Sequence, residues 1–185
     1  MFQELLKKLA HALDSITIPY MLIGGQAVLL YGEPRLTKDI DITLGVGLDL
    51  QNEVMEMVNS LNLKILVSNP EDFVKKTMVL PALQESTGIR VDLIFSFSPY
   101  EKQAIERAKT VMFDDVPVKF ASLEDVIIHK IIAGRPRDLE DIKTILLKNT
   151  SFDEGYIKKW LKEFDNSLHE NFVKVFHDIL NETKT

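Results

Sequence analysis

The chain contains no cysteine among its 185 residues. Without thiols it can form neither a disulfide framework nor a thiolate metal site, and it has no cysteine nucleophile. This absence suits a reducing compartment, and we expect a cytoplasmic protein. Long apolar runs are also missing from the N-terminus, where residues 1–16 form an amphipathic pattern with acidic residues. That pattern is neither a signal peptide nor a membrane span, so we expect no membrane contact.

The chain likewise has no excess of basic residues, and its formal net charge is −6. An acidic protein does not attract nucleic acid as a whole, although a local basic patch can still bind RNA. No P-loop sequence is present, and no serine stands in a nucleophile-elbow context. The histidines show no metal-ligand spacing; they are His11, His129, His169 and His177. With 45% hydrophobic and 27% charged residues, the composition is that of an ordinary globular protein with a buried core.

The most informative stretch is residues 20–44, which we interpret as a strand, a Gly-Gly turn, a short helix, a loop and a second strand. Alternation along the second strand places Asp39 and Asp41 on one face, about 6–7 Å apart at Cα. Two carboxylates at that distance repel each other unless water, a cation or a metal screens them. Mg²⁺ prefers such oxygen ligands. A half-exposed strand also alternates charge and isoleucine, so the pair alone equally fits a solvated face.

Two further features favour a site. Gly24 and Gly25 allow a tight turn that leaves bare N–H groups at a helix start, where a phosphate can bind. Asp92 lies on a later predicted strand, residues 89–95, with matching alternation. If the two strands are neighbours, three carboxylates converge. Carboxylates for metal and glycines for phosphate indicate the handling of a nucleoside triphosphate.

Hydrophobic periodicity and turn residues predict an α+β fold, with a mixed β-sheet core flanked by helices and followed by a C-terminal helical region. The predicted strands are 20–23, 40–44, 64–67, 78–83 and 89–95, with a hairpin in 111–120 that turns at Asp114-Asp115. The predicted helices are 2–14, 26–31, 49–61, one from 69–70, 99–108, one from 122 to 134, 136–148, 153–166 and 168–182. We expect a core at residues 1–120 and a helical region at 121–185, together forming one compact unit.

These residues, in this order, resemble the nucleotidyltransferase superfamily with the DNA-polymerase-β-like fold. Its pattern is a strand ending in Gly-Gly or Gly-Ser, a short helix, Asp-h-Asp on the next strand and a third Asp later. The stretch from Arg35 to Asp41 also matches R-x-T-x-D-h-D, and the stretch from Lys130 to Asp141 matches K-x-x-A-G-R-x-x-D-x-x-D. Both are similar to small prokaryotic members that include the abortive-infection toxin type. The resemblance covers about residues 20–145, and Gly25 replaces the serine whose hydroxyl would contact a phosphate.

The resemblance implies an enzyme that moves a nucleoside monophosphate from an NTP, such as ATP, to an acceptor hydroxyl and releases pyrophosphate. Mg²⁺ or Mn²⁺ would be the cofactor. The implied catalytic residues are Asp39, Asp41, Asp92 and Lys130, of which the three aspartates hold metal. The implied nucleotide- and phosphate-binding residues are Gly24, Gly25, Arg35, Thr37, Lys130 and Asp138. The acceptor stays open between an RNA 3′ end (tRNA, for example), a protein side chain and a small molecule.

Several of these residues have a simpler interpretation. Lys130 lies in the apolar segment VIIHKIIAG, so it either reaches the triphosphate or snorkels to solvent. Asp138 and Asp141 share a helix face, and Asp138 in a first turn also complements the helix dipole. Arg135 and Arg137 could bind a phosphate or pair with these acids. Arg35 and Lys38 could be solvated loop charges.

Two other classes of function remain open. One is a non-catalytic nucleotide-binding or interaction module, against which the retention of three mutually repelling carboxylates argues. The other is an antitoxin-like or regulatory partner protein, which predicts a large exposed apolar surface on the C-terminal helices. Similarity to the toxin type also implies an antitoxin as a partner. Oligomeric state is not predicted.

Overall fold

The computed structural model describes residues 2–33, 37–96 and 98–184, with the backbone alone for Lys184. The strands are β1 (Tyr20–Ile23), β2 (Asp39–Leu44), β3 (Lys64–Ile65), β4 (Val79–Gln84), β5 (Ile89–Phe95), β6 (Lys109–Phe113) and β7 (Val116–Phe120). The helices are α1 (Phe2–Ser15), α2 (Gly24–Tyr31), α3 (Gln51–Ser60), α4 (Pro70–Thr77), α5 (Pro99–Glu106), α6 (Leu123–Ala133), α7 (Pro136–Lys148), α8 (Glu154–Leu168) and α9 (Phe172–Lys184).

The strands form one mixed sheet in the order β3-β4-β5-β2-β1-β7-β6. Strand β2 pairs antiparallel with β1 and parallel with β5, so these three strands form the middle of the sheet. The mixed sheet and its flanking helices confirm the predicted α+β fold. Within the part of the chain that the structure describes, no helix is both long and apolar enough to cross a membrane.

Burial separates the two faces of β2 and β5. Ile40 and Ile42 on β2, and Val91 and Leu93 on β5, are fully buried. They belong to one contiguous apolar core that also includes residues of the C-terminal helices, among them Ile142. Removing this apolar surface from water is the main favourable term that holds the sheet and helices together. The polar side chains of β2 and β5 are therefore left on the opposite face.

Most predicted boundaries agree with the structure to within one or two residues. The β6–β7 hairpin turns at Asp114-Asp115 as expected. Helix α6 starts after Ser122, whose side chain accepts a hydrogen bond from the Asp125 N–H, and ends at Gly134 in the left-handed conformation. Both ends follow the capping signals in the sequence.

Four boundaries illustrate the differences, of which three amount to two residues and one to four. Helix α2 begins at Gly24 rather than at residue 26, so the Gly-Gly turn is itself the first turn of the helix. Strand β3 has only two residues, and α5 ends at Glu106. Helix α9 begins at Phe172 rather than at residue 168, because His169 adopts a left-handed conformation that ends α8.

Candidate active site

A cavity of about 540 Å³ lies over the middle of the sheet and gathers the predicted site residues. Strands β2 and β5 form its floor, the start of α2 forms one wall, and α6 with the start of α7 forms another. Its polar lining consists of Gly24, Gly25, Thr37, Asp39, Asp41, Asp92, His129, Lys130, Arg135, Arg137 and Asp138. Arg35, which the sequence also placed here, lies outside the described residues.

The three aspartates share one face of two neighbouring strands. In the parallel pairing of β2 with β5, Asp41 stands directly opposite Asp92. Asp39 precedes Asp41 by two residues and so has the same orientation, about 6–7 Å away along the strand. The condition set by the sequence, that the two strands be neighbours, is therefore met.

The electrostatics of this face favour a cation. Burial, together with the negative charges of Asp92 and Asp39, raises the pKa of Asp41 to about 6. A carboxyl group that is hard to ionise for these reasons is stabilised as an anion by a bound divalent metal. The donors are also of the right kind, because Mg²⁺ and Mn²⁺ take carboxylate oxygens and complete their shells with phosphate and water oxygens.

The aspartates are not yet arranged around a metal position. Among the described residues, no group of three acidic or histidine side chains is gathered closely enough to hold an ion. Asp92 is engaged by Arg90, whose Nε lies 2.9 Å from its Oδ1. Arg90 is not among the predicted site residues, although alternation along β5 places it on the same face as Asp92. A metal that used Asp92 would compete with this guanidinium.

The glycine turn is in direct contact with the carboxylates. Gly24 has φ of +64°, and a Cβ added there would overlap Oδ2 of Asp41. Only glycine fits, for both conformational and steric reasons. The N-cap of α2 is Ile23, which has no side-chain group to accept the first N–H groups. These N–H groups lie at the positive end of a helix and beside the carboxylates, an arrangement that can accommodate phosphate oxygens.

Lys130 is buried at the edge of the cavity and does not snorkel. Its side chain is only 5% exposed, and its Nζ lies 2.6 Å from Asp138 Oδ1 and 2.7 Å from Asp141 Oδ2. Arg135 pairs with the other oxygen of Asp138, at 2.6 Å. Burial alone would raise the pKa of Asp138, but the hydrogen bonds from Arg135 and Lys130 hold it below its usual value. Asp138 lines the cavity and Asp141 does not.

Arg137 is the other cation at this wall. It is exposed, lines the cavity, and forms no ion pair with any residue that the structure describes. The sequence left open whether Arg135 and Arg137 would bind phosphate or pair with acids. The structure separates them, because Arg135 is paired with Asp138 and Arg137 is available to a ligand.

A second cavity of about 500 Å³ adjoins the first and shares Ile23, Ile94 and His129 with it. The spacing of His129 in the sequence predicts no role as a metal ligand. Its ring is partly exposed where the cavities meet, yet its Nε2 is buried without a hydrogen-bond partner among the described residues. Burial lowers the pKa of His129 to about 4, so the ring is neutral at physiological pH.

This sheet, with acidic residues on adjacent strands beside a glycine turn at a helix start, is that of a nucleotidyltransferase. The chain belongs to the family described as "Nucleotidyltransferase of unknown function (DUF6036)", which it matches over residues 1–178. It is therefore an enzyme of the nucleotidyltransferase type. A sequence comparison with curated proteins gives no match.

Solved structures with this fold include known adenylyltransferases. The chain is 18% identical to ANT(2″)-Ia, solved in complex with adenylyl-2″-tobramycin, with a TM-score of 0.59 over 91% of this chain and 98% of that one. An antigenic nucleotidyltransferase-like protein from Paracoccidioides brasiliensis is 18% identical, with a TM-score of 0.56 over 78% and 74%. The lincosamide adenylyltransferase LnuA, bound to lincomycin, is 18% identical, with a TM-score of 0.50 over 72% and 89%. At these identities the similarity is one of fold.

Proposed function

We propose that this enzyme transfers a nucleoside monophosphate from ATP or another NTP to an acceptor hydroxyl, with Mg²⁺ or Mn²⁺ held by Asp39, Asp41 and Asp92. The observation that most directly supports this function is the pairing of Asp41 with Asp92 across β2 and β5, beside the start of α2. Gly24 and Gly25, whose N–H groups at a helix start are suited to phosphate oxygens, line the same cavity.

Each residue has a role in the transfer reaction that follows from its position in the cavity. The N–H groups of Gly24 and Gly25 and the side chain of Arg137 bind the triphosphate. The acceptor oxygen attacks the α-phosphorus, its proton passes to Asp92, and the bond to the departing pyrophosphate breaks. The metal, when bound, neutralises negative charge on the phosphates. Lys130 and Asp138 belong to the wall of the cavity beside the phosphates, and their buried ion pair stabilises that wall.

A direct assay uses labelled NTPs with Mg²⁺ or Mn²⁺ and three kinds of acceptor: total tRNA, a protein fraction and a small-molecule fraction. We compare the wild type with the Asp39→Asn/Asp41→Asn double variant. The variant should lose transfer by at least about 10²-fold, because metal ions contribute several kcal/mol to the transition state. Asp115→Asn, an exposed acid in the β6–β7 turn, is the matched control and should retain full activity.

Equal transfer by the wild type and the double variant under all conditions would refute the proposal. NTP binding without transfer, lost on Arg137→Gln, would instead indicate a non-catalytic nucleotide-binding module. A regulatory partner protein has little support from the C-terminal helices. Among their described residues, the large apolar side chains that are exposed are Leu147 and Leu168, and isolated ones are common on protein surfaces.

A further inference from the structure

The second cavity lies on the same face of the sheet as the aspartates, two residues further along β2 and β5. On that face, the pair that follows Asp41 and Asp92 is Thr43 and Ile94, and both of these residues line the cavity. One such pair lies about 6–7 Å from the next along the strands. A molecule in the second cavity can therefore place a hydroxyl beside Asp92.

The cavity also lies on the side from which an acceptor must come. Gly24 and Gly25 are at the end of β1, on one side of β2, whereas Asp92 is on β5, on the other. In phosphoryl-type transfer the attacking and leaving oxygens are roughly in line, so the acceptor enters opposite the pyrophosphate. With phosphates at the glycine turn, that entrance is on the β5 side, where Ile94 and Phe95 line the second cavity.

The lining indicates what kind of acceptor fits. Met78, Ile94 and Phe95 give an apolar surface, and Ser96 and Ser98 add hydroxyl groups. No lysine or arginine is among the described residues that line it, and His129 adds no positive charge because its pKa is lowered to about 4. Nucleic acids are bound through lysine and arginine contacts to phosphates. This surface is therefore unsuited to an RNA chain.

Glu101 is the one charged residue among the described residues that line this cavity. One of its carboxylate oxygens accepts a hydrogen bond from the Ser98 hydroxyl. Glu101 forms no ion pair with any residue in the described part of the chain. An unpaired carboxylate beside an apolar wall is complementary to an amine attached to an apolar body.

We propose that the second cavity is the acceptor subsite, and that it takes a small molecule with a hydroxyl, an apolar body and an amine rather than an RNA end. The amine pairs with Glu101, the apolar body contacts Met78 and Ile94, and the hydroxyl reaches Asp92. This inference rests on the proposed transfer reaction and specifies its acceptor.

Binding can be tested without catalysis using two matched probes. 2-Amino-1-phenylethanol and mandelate share a phenyl carbinol but carry an ammonium and a carboxylate, respectively. In ligand-detected NMR titrations the amine should bind and mandelate should not. Glu101→Gln should weaken amine binding about fivefold, the value of one exposed ion pair. Glutamine preserves the capping interaction with Ser98. The control Glu71→Gln, at the exposed start of α4, should have no effect.

A second variant separates binding from stability. Met78 has φ of +59°, a strained value for a residue with a side chain, so Met78→Gly relieves backbone strain while removing an apolar contact. It should weaken amine binding while the protein stays folded. Equal binding of both probes, or no effect of Glu101→Gln and Met78→Gly, would overturn the subsite.

Transfer assays distinguish the two proposals. If the wild type transfers label to tRNA but not to lincomycin, tobramycin or the amine probe, the transfer reaction holds and the acceptor class proposed here is wrong. If it transfers label to no acceptor while the amine binds in a Glu101-dependent manner, the subsite holds and the transfer reaction fails. The expected result is transfer to at least one hydroxyl-bearing amine, with KM raised by Glu101→Gln and kcat nearly unchanged.

Discussion

Gly24 lies so close to Asp41 that a single methyl group at its Cα would overlap the Asp41 carboxylate. The glycine turn and the face that carries the aspartates are thus one structural unit, although sixteen residues lie between Gly24 and Asp41 in the chain. A substitution that adds atoms at Gly24 therefore displaces the Asp41 carboxylate.

Gly24→Ala should therefore impair the site beyond its effect on folding. The new methyl group displaces Asp41, and a displacement of about 1 Å in a catalytic group can lower the rate about 10²-fold. Gly88→Ala is the control, because Gly88 has a similar φ of +70° but no atom within 4 Å of the added Cβ. Both variants should lose about 1 kcal/mol of stability from backbone strain. Only Gly24→Ala should lose Mn²⁺ binding and transfer in parallel assays.

Asp41 should make the metal-free protein less stable as pH rises. Its pKa is raised to about 6 from an ordinary 3.8, so its contribution to stability is complete below pH 3.8 and is lost as pH rises through 6. Asp41→Asn removes this effect. At pH 8 the variant should be more stable than the wild type by up to about 3 kcal/mol, at 1.36 kcal/mol per pKa unit.

Urea unfolding at pH 4 and pH 8, in the presence of a chelator, measures this difference. The advantage of Asp41→Asn should nearly vanish at pH 4. Asp115→Asn is the control, since Asp115 is an exposed acid in the β6–β7 turn, does not line the cavity and should show little change. An Asp41→Asn protein that is less stable than the wild type at both pH values would contradict the electrostatic description of the site.

Arg90 should compete with the metal for Asp92. Removing the guanidinium by Arg90→Gln frees Asp92, and Mn²⁺ affinity measured by calorimetry should rise about two- to fivefold, as expected for a partly exposed ion pair. Lys64→Gln, which breaks a comparable surface pair with Glu85, should leave Mn²⁺ affinity unchanged. A fall in affinity on Arg90→Gln would show that Arg90 supports the metal-binding arrangement instead.

Lys130 should be essential to the stability of the cavity wall. Lys130→Met leaves the buried carboxylates of Asp138 and Asp141 without this cation and should cost about 3–5 kcal/mol in chemical denaturation. Adding Asp141→Asn should recover part of the loss, because one buried charge is then removed. Lys143→Met, at an exposed pair with Glu182, should cost less than about 1 kcal/mol. Similar losses for Lys130→Met and Lys143→Met would contradict the buried-pair description.

The shared face of the three aspartates could be predicted, because side chains alternate between the two faces along a strand. Once β2 and β5 are recognised as strands, the faces of Asp39, Asp41 and Asp92 follow from the two-residue period. Their adjacency could not be predicted, because strand order depends on long-range pairing that no local pattern reveals. Alternation places Arg90 and Asp92 on one face, but whether the two side chains pair depends on rotamers that the sequence does not specify.

The ion pairs of Lys130 could not be predicted for a related reason. Its partners Asp138 and Asp141 lie on the next helix, and they reach it only because Gly134 turns the chain back. A lysine in an apolar helix then becomes buried and paired rather than extended to solvent. Met78 was similarly unpredictable, because a left-handed methionine is imposed by the surrounding structure and not by its own preference.

The position of β5 has a consequence for how the enzyme matures. This strand inserts between β4, which precedes it in the chain, and β2, which was synthesised much earlier. Pairing between such distant segments must overcome loop-closure entropy and is intrinsically slow. A chain in which β5 has not yet paired with β2 therefore has Asp41 without Asp92 opposite it. Under the proposed mechanism such a chain is inactive, and activity appears only once these two strands have paired.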